Sequence, residues 1–86
     1  MEKRIAMIGI ILESKDSVNK LNEIIGEYSN YIVGRMGLPN INENLSAISI
    51  VLQASNDVIS ALSGKLGMLE GVSAKTIYSK TTGGCD

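Results

Sequence analysis

After Arg4, residues 5–12 form an unbroken apolar run, and residues 4–12 read RIAMIGIIL. A β-branched run of this length without alternation predicts a strand buried on both faces. The turn Glu13-Ser14-Lys15-Asp16 follows, with Ser14 or Asp16 placed to cap a helix. Val18, Leu21, Ile24, Ile25 and Tyr28 then recur at helical spacing among Asn, Lys and Glu. That is an amphipathic helix laying one stripe on a sheet. Residues 31–38 (YIVGRMGL) predict a second strand, and 39–44, with Pro39 and three asparagines, a loop. Residues 45–53 (LSAISIVLQ) alternate and predict a third strand. Ser55 or Asn56 caps a second helix to about Leu66, with Val58, Ile59, Leu62 and Leu66 inward and Gly67 as its C′ residue. Leu69-Glu70-Gly71 turns the chain, and 72–79 (VSAKTIYS) is the last strand. Residues 81–86 predict a flexible polar tail behind a single domain over 1–80.

The order is β-α-β-β-α-β, an α+β ferredoxin-like sandwich. Right-handed crossovers put both helices on one face of a four-stranded antiparallel sheet. The other face of a lone subunit is then expected to be polar. The first strand offers no polar side: Ile5, Met7, Gly9 and Ile11 alternate with Ala6, Ile8, Ile10 and Leu12. In the third strand, Ile48, Ile50 and Leu52 alternate with Ala47, Ser49 and Val51. A sheet apolar on both faces calls for a second cover, and a second subunit is the simplest. The expectation is a homo-oligomer, dimer or tetramer, closed over the open sheet face.

Length supports the same view. A chain of 86 residues has room for one core, and small domains of this kind draw extra stability from disulfides, metals or partner subunits. Cys85 is the only cysteine and there is no histidine, so neither an internal disulfide nor a structural zinc site is expected. The chain is 44% hydrophobic and 20% charged, with a formal charge of −1. Its basic residues are scattered and form no nucleic-acid footprint. The apolar start is short and followed at once by charge, so it reads as neither a signal peptide nor a membrane span, and a cytoplasmic location is expected.

The chemistries hosted by ferredoxin-like folds leave signatures that are missing here. There are no cysteine clusters for iron–sulfur or copper, no aromatics on the central strands for stacking RNA bases, and no glycine-rich or basic phosphate cradle in the first loop. Ser63-Gly64-Lys65-Leu66-Gly67 resembles a phosphate-binding loop only superficially, because it closes a helix and Leu66 stands where Ser or Thr would hold magnesium. No cofactor and no catalytic residue are assigned, although Glu13, Asp16 and Glu70 are the carboxylates an enzyme would have to use.

Two segments stand out as ligand or interface candidates, and a third, the first loop and helix start from Glu13 to Ser17, suits a small molecule held between subunits or, more plainly, simple helix capping. In Gly34-Arg35-Met36-Gly37, a charge and two glycines interrupt an apolar strand. Such glycines mark a bulge or the close approach of a ligand or second backbone, and Arg35 suits an anionic ligand or a carboxylate across an interface. The plain alternative is a bulged strand end with a solvated arginine. In the second segment, Gly64 and Lys65 sit in a helix, where glycine costs about 1 kcal/mol against alanine. Gly64 there permits close packing of a subunit, or simply frays the helix end.

Residues 31–39 (YIVGRMGLP), 58–67 (VISALSGKLG) and 69–75 (LEGVSAK) together resemble the iron-only hydrogenase system regulator family. The resemblance covers roughly residues 4–79. The family is similar in fold to ACT-like domains and to the C-terminal domain of nickel-responsive transcriptional regulators. It implies a non-catalytic, oligomeric protein that senses a small ligand or binds a partner protein. With no histidine, it implies no nickel, and with no DNA-reading segment before Arg4 it implies no direct DNA binding. The competing expectation is a structural assembly or maturation factor docking on another protein.

Overall fold

The computed structural model describes residues 3–42 and 45–82. The strands are β1 (Arg4–Leu12), β2 (Ile32–Asn42), β3 (Leu45–Ala54) and β4 (Val72–Thr82). The helices are α1 (Val18–Glu27) and α2 (Asn56–Gly67). All pairings are antiparallel, in the order β2-β3-β1-β4. This is the expected ferredoxin-like α+β architecture, with both helices on one face.

The core follows from the two periodicities. Every second residue of β1, from Ala6 through Ile8 and Ile10 to Leu12, is buried. Ile50 and Leu52 of β3 lie beside them in register. Leu21 and Ile25 of α1, and Ile59, Leu62 and Leu66 of α2, close over this surface. Val18, Ile24, Tyr28 and Val58 flank it half-buried. Burying side chains of this size stabilises the fold by about 1.5–3 kcal/mol each.

Helix α2 starts on Ser55, whose Oγ accepts the Val58 N–H at 3.3 Å. Asp57 in its first turn and Lys65 in its last complement the helix dipole. Helix α1 begins differently from expectation. Neither Ser14 nor Asp16 caps it; a short 3₁₀ turn over Lys15–Ser17 leads in, and Ser17 is its N-cap without a side-chain cap bond. The buried Ser17 hydroxyl instead donates to the Glu70 carbonyl at 2.7 Å. The Glu13 N–H donates to the Gly71 carbonyl at 2.7 Å. These two bonds tie the β1–α1 turn to the α2–β4 turn.

Three boundaries differ from the sequence pattern. Residues 39–42, expected as a loop, continue β2 as far as Asn42. Strand β2 is at the sheet edge, where proline loses no ladder bond facing solvent, and a register shift between Leu38 and Asn42 absorbs the extra residues. Gly67 is not a C′ residue but the last residue of α2, and Met68 follows in right-handed conformation. The glycine in the left-handed region is Gly71, at φ +73°. Strand β4 runs on to Thr82, past the expected start of the tail; residues 83–86, with Cys85, lie outside the described residues.

Candidate functional site

The antiparallel register sorts the side chains of the face without helices into rows. One row runs Leu38, Ala47, Ile11, Ser73; the next Met36, Ser49, Gly9, Lys75; the third Gly34, Val51, Met7, Ile77. Val51 is half-buried, and the other large apolar members are open to solvent, from Ile11 at 39% to Ile77 at 68%. Small residues at Gly9, Ala47 and Ser49 leave a depression of about 420 Å³ between them. A face of bulky knobs around a shallow hole is therefore contiguous and largely apolar, with Lys75 at its edge.

On the helix side, a groove of about 480 Å³ opens between α1 and β2. Leu12, Val18, Leu21 and Ile48 give it apolar walls, and Lys15, Asn22, Arg35 and Ser46 supply its polar groups. Arg35 Nη2 donates to Asn22 Oδ1 at 2.9 Å, joining the edge strand to α1. Gly37 also lines the groove, where an added Cβ would meet only Ile48 Cγ1, at 3.9 Å.

The predicted site residues thus fall in three places. Alternation along β2 sends Arg35 and Gly37 into the groove, and Gly34 and Met36 to the opposite, open face. The register shift between Ile32 and Gly34 places a bulge at the start of this segment, one of the two structural roles its glycines suggested. Gly64 and Lys65 lie apart, on α2. Lys65 Nζ is 3.6 Å from Glu27 Oε1 and 5.1 Å from the centroid of the Tyr28 ring. Tyr28, and after it Glu27, raises the Lys65 pKa above the ordinary lysine value. This pair of contacts latches α2 to the end of α1, and both charged side chains are half-exposed, which makes the latch a weak one.

Within this chain Gly64 has no packing reason: a Cβ there meets nothing within 4 Å. Gly64→Ala is expected to raise stability by about 0.5–1 kcal/mol, the usual gain in an exposed helix interior. Urea denaturation checks it, and a loss of stability would show that a second backbone approaches this position.

Lys15 lies in the loop from Glu13 to Ser17 that the sequence marked as a ligand candidate, whereas Asn22 and Ser46 were not singled out by sequence. Each is an ordinary polar residue in a turn, helix or strand, and only the packing of α1 beside the β2–β3 pair brings them to Arg35. Among the described residues, no group of three or more His, Cys, Asp or Glu is placed to hold a metal ion. Nor is any described helix long and apolar enough to cross a membrane.

Residues 4–76 match the TM1266-like family, described as "Iron-only hydrogenase system regulator, putative". The chain is similar to the uncharacterized protein TM1266 from Thermotoga maritima, at 39% identity and a TM-score of 0.86, covering 92% of this chain and 100% of that one. It is also similar in fold to a de novo designed protein, Foldit4, at 10% identity and a TM-score of 0.56, covering 93% of this chain and 99% of that one. No curated protein matches it.

Proposed function

The chain belongs to the TM1266-like family of iron-only hydrogenase system regulators, and from that premise we propose that it is a non-catalytic regulatory protein working as a homo-oligomer closed over its open sheet face. The observation that carries this reading is that face, with Met7, Ile11, Met36, Leu38 and Ile77 all exposed. An antiparallel sheet covered on one side alone normally turns polar residues to water on the other. Here the uncovered side is largely apolar, with large exposed side chains on β1, β2 and β4 and with Ser49, Ser73 and Lys75 among them. Its area is on the order of 500 Å² per subunit, from four strands about 4.8 Å apart and eight residues about 3.3 Å each. Two copies together reach about 1,000 Å², the lower range for a specific interface. Knobs such as Met7 and Met36 beside the hole at Gly9 and Ala47 suit a two-fold contact, in which each copy fills the other's depression.

Strand β2 supplies a path for regulation. It presents Arg35 and Gly37 to the groove and Met36 to the face a partner would cover. A ligand that shifts this edge strand acts directly on the subunit contact, because the two surfaces belong to alternate residues of one backbone.

Deleting the gene in a host that carries an iron-only hydrogenase tests the reading. Hydrogenase activity in cell extract is expected to change several-fold, to be restored by the wild-type gene and not by a variant that cannot assemble. Unchanged hydrogenase activity and hydrogenase transcript in the deletion strain would overturn it.

A further inference from the structure

In the groove between α1 and β2, positive charge without an anionic partner meets an apolar floor. Arg35 and Lys15 both line it, and neither forms an ion pair among the described residues. The Asn22 amide that accepts from Arg35 Nη2 at 2.9 Å is neutral; it steadies one edge of the guanidinium and leaves the charge uncompensated. Among the described residues no aspartate or glutamate lines the groove, and those that do line it offer no countercharge to an ammonium group. Its volume of about 480 Å³ lies within the usual range for small-molecule sites, roughly 300–1,000 Å³.

We propose that this groove binds a small organic carboxylate with a branched or aromatic apolar body and no ammonium group. The carboxylate sits against the Arg35 guanidinium, a planar donor fork matched to two oxygens, with the Lys15 ammonium as a second charge. The body lies on Leu12, Val18, Leu21 and Ile48. Gly37 keeps the space open, since any side chain there grows from a Cβ with free room around it. The same features select against a zwitterionic amino acid, whose ammonium would lose water and gain no carboxylate. This inference rests on the ligand-sensing part of the proposed function and names its ligand class.

Sodium phenylacetate and sodium 4-methylvalerate are the probes, titrated into ¹⁵N-labelled protein and followed by amide chemical shifts. Phenylacetamide keeps the shape without the charge, and acetate keeps the charge without the body. Both probes are expected to shift residues 15–22 and 35–38 saturably, with each control at least about tenfold weaker, as the loss of a charge-assisted contact or of the buried body predicts. Arg35→Ala and Gly37→Leu should each weaken phenylacetate by about tenfold or more, Arg35→Gln should do the same with its side-chain length kept, and Lys65→Ala should not. Absence of saturable shifts, equal binding of phenylacetamide, or unchanged affinity in both Arg35 variants would overturn the assignment. Tighter binding by a peptide ending in a free phenylalanine carboxylate than by phenylacetate would overturn it in favour of a protein tail. Any of these failures with the wild-type protein still assembled strikes the ligand assignment alone, whereas a monomeric wild type strikes the wider reading.

Discussion

Met7→Glu is expected to leave the fold intact and abolish assembly. Met7 lies on central strand β1, in the row between Val51 and Ile77, and is 44% exposed in the single subunit. The core lies on the other side of the sheet, so a carboxylate at this position meets water in the monomer and costs the fold little. In an assembly closed over this face, the same carboxylate is buried against apolar side chains with no cation opposite it in the row. Each buried, unpaired carboxylate costs several kcal/mol, and a two-fold contact contains two of them. The concentration needed for assembly should therefore rise by at least roughly 100- to 1,000-fold. Sedimentation velocity reads the loss of assembly, and far-UV circular dichroism reads the retained fold. Asn19→Glu, on the exposed side of α1, adds the same charge away from the face and should change neither. An assembled Met7→Glu protein would show that copies meet elsewhere.

The second large effect is on stability. Gly71→Val should destabilise the protein by about 2–4 kcal/mol, which in a domain of this size lowers the melting temperature by roughly 10–25 °C. Two costs add. Gly71 sits at φ +73°, where a side chain, above all a β-branched one, is strained by about 1–2 kcal/mol. Its Cβ would also lie 2.6 Å from the Ser14 Cβ and 3.1 Å from the Ser14 backbone nitrogen, so backbone must move. The movement separates the two turns joined by the Glu13–Gly71 and Ser17–Glu70 bonds. Gly71→Ala should fall part of the way, carrying the backbone strain and the first contact without the branched methyls. Thermal melts of the three proteins at one protein concentration check the order, and a Gly71→Val protein melting within a few degrees of wild type would contradict it.

The course of the chain was legible where one physical signal acted alone. The apolar run of β1, the helical stripe from Val18 to Tyr28 and the Ser55 cap each specify one structure locally, and the structure has them there. Signals that depend on neighbours misled. Pro39 and three asparagines suggest a loop, but at a sheet edge proline is tolerated, and β2 continues to Asn42. Gly67 and Gly71 both follow the last buried turn of α2, and nothing local says which takes the left-handed conformation. The choice goes to Gly71, where the Ser14 turn packs too closely for a Cβ. The candidate site was legible only in part for a related reason. Arg35 and Gly37 were visible as a charge and a glycine in an apolar strand, yet Met36 and Gly34 between and beside them belong to the opposite face. Lys15, Asn22 and Ser46 complete the groove from three other elements, and no local pattern links them. The apolar open face, by contrast, follows directly from alternation in β1 and β3.

The central claim is that this open face is covered by a second copy of the chain, and the mass of the wild-type protein in solution tests it most directly. Native mass spectrometry at low micromolar concentration, with sedimentation equilibrium beside it, should give an integer multiple of the 9.2 kDa chain mass, two chains or more. A single-chain mass that persists at high micromolar concentration would contradict the account, leaving the exposed row of Met7, Ile77 and their neighbours without the partner it implies.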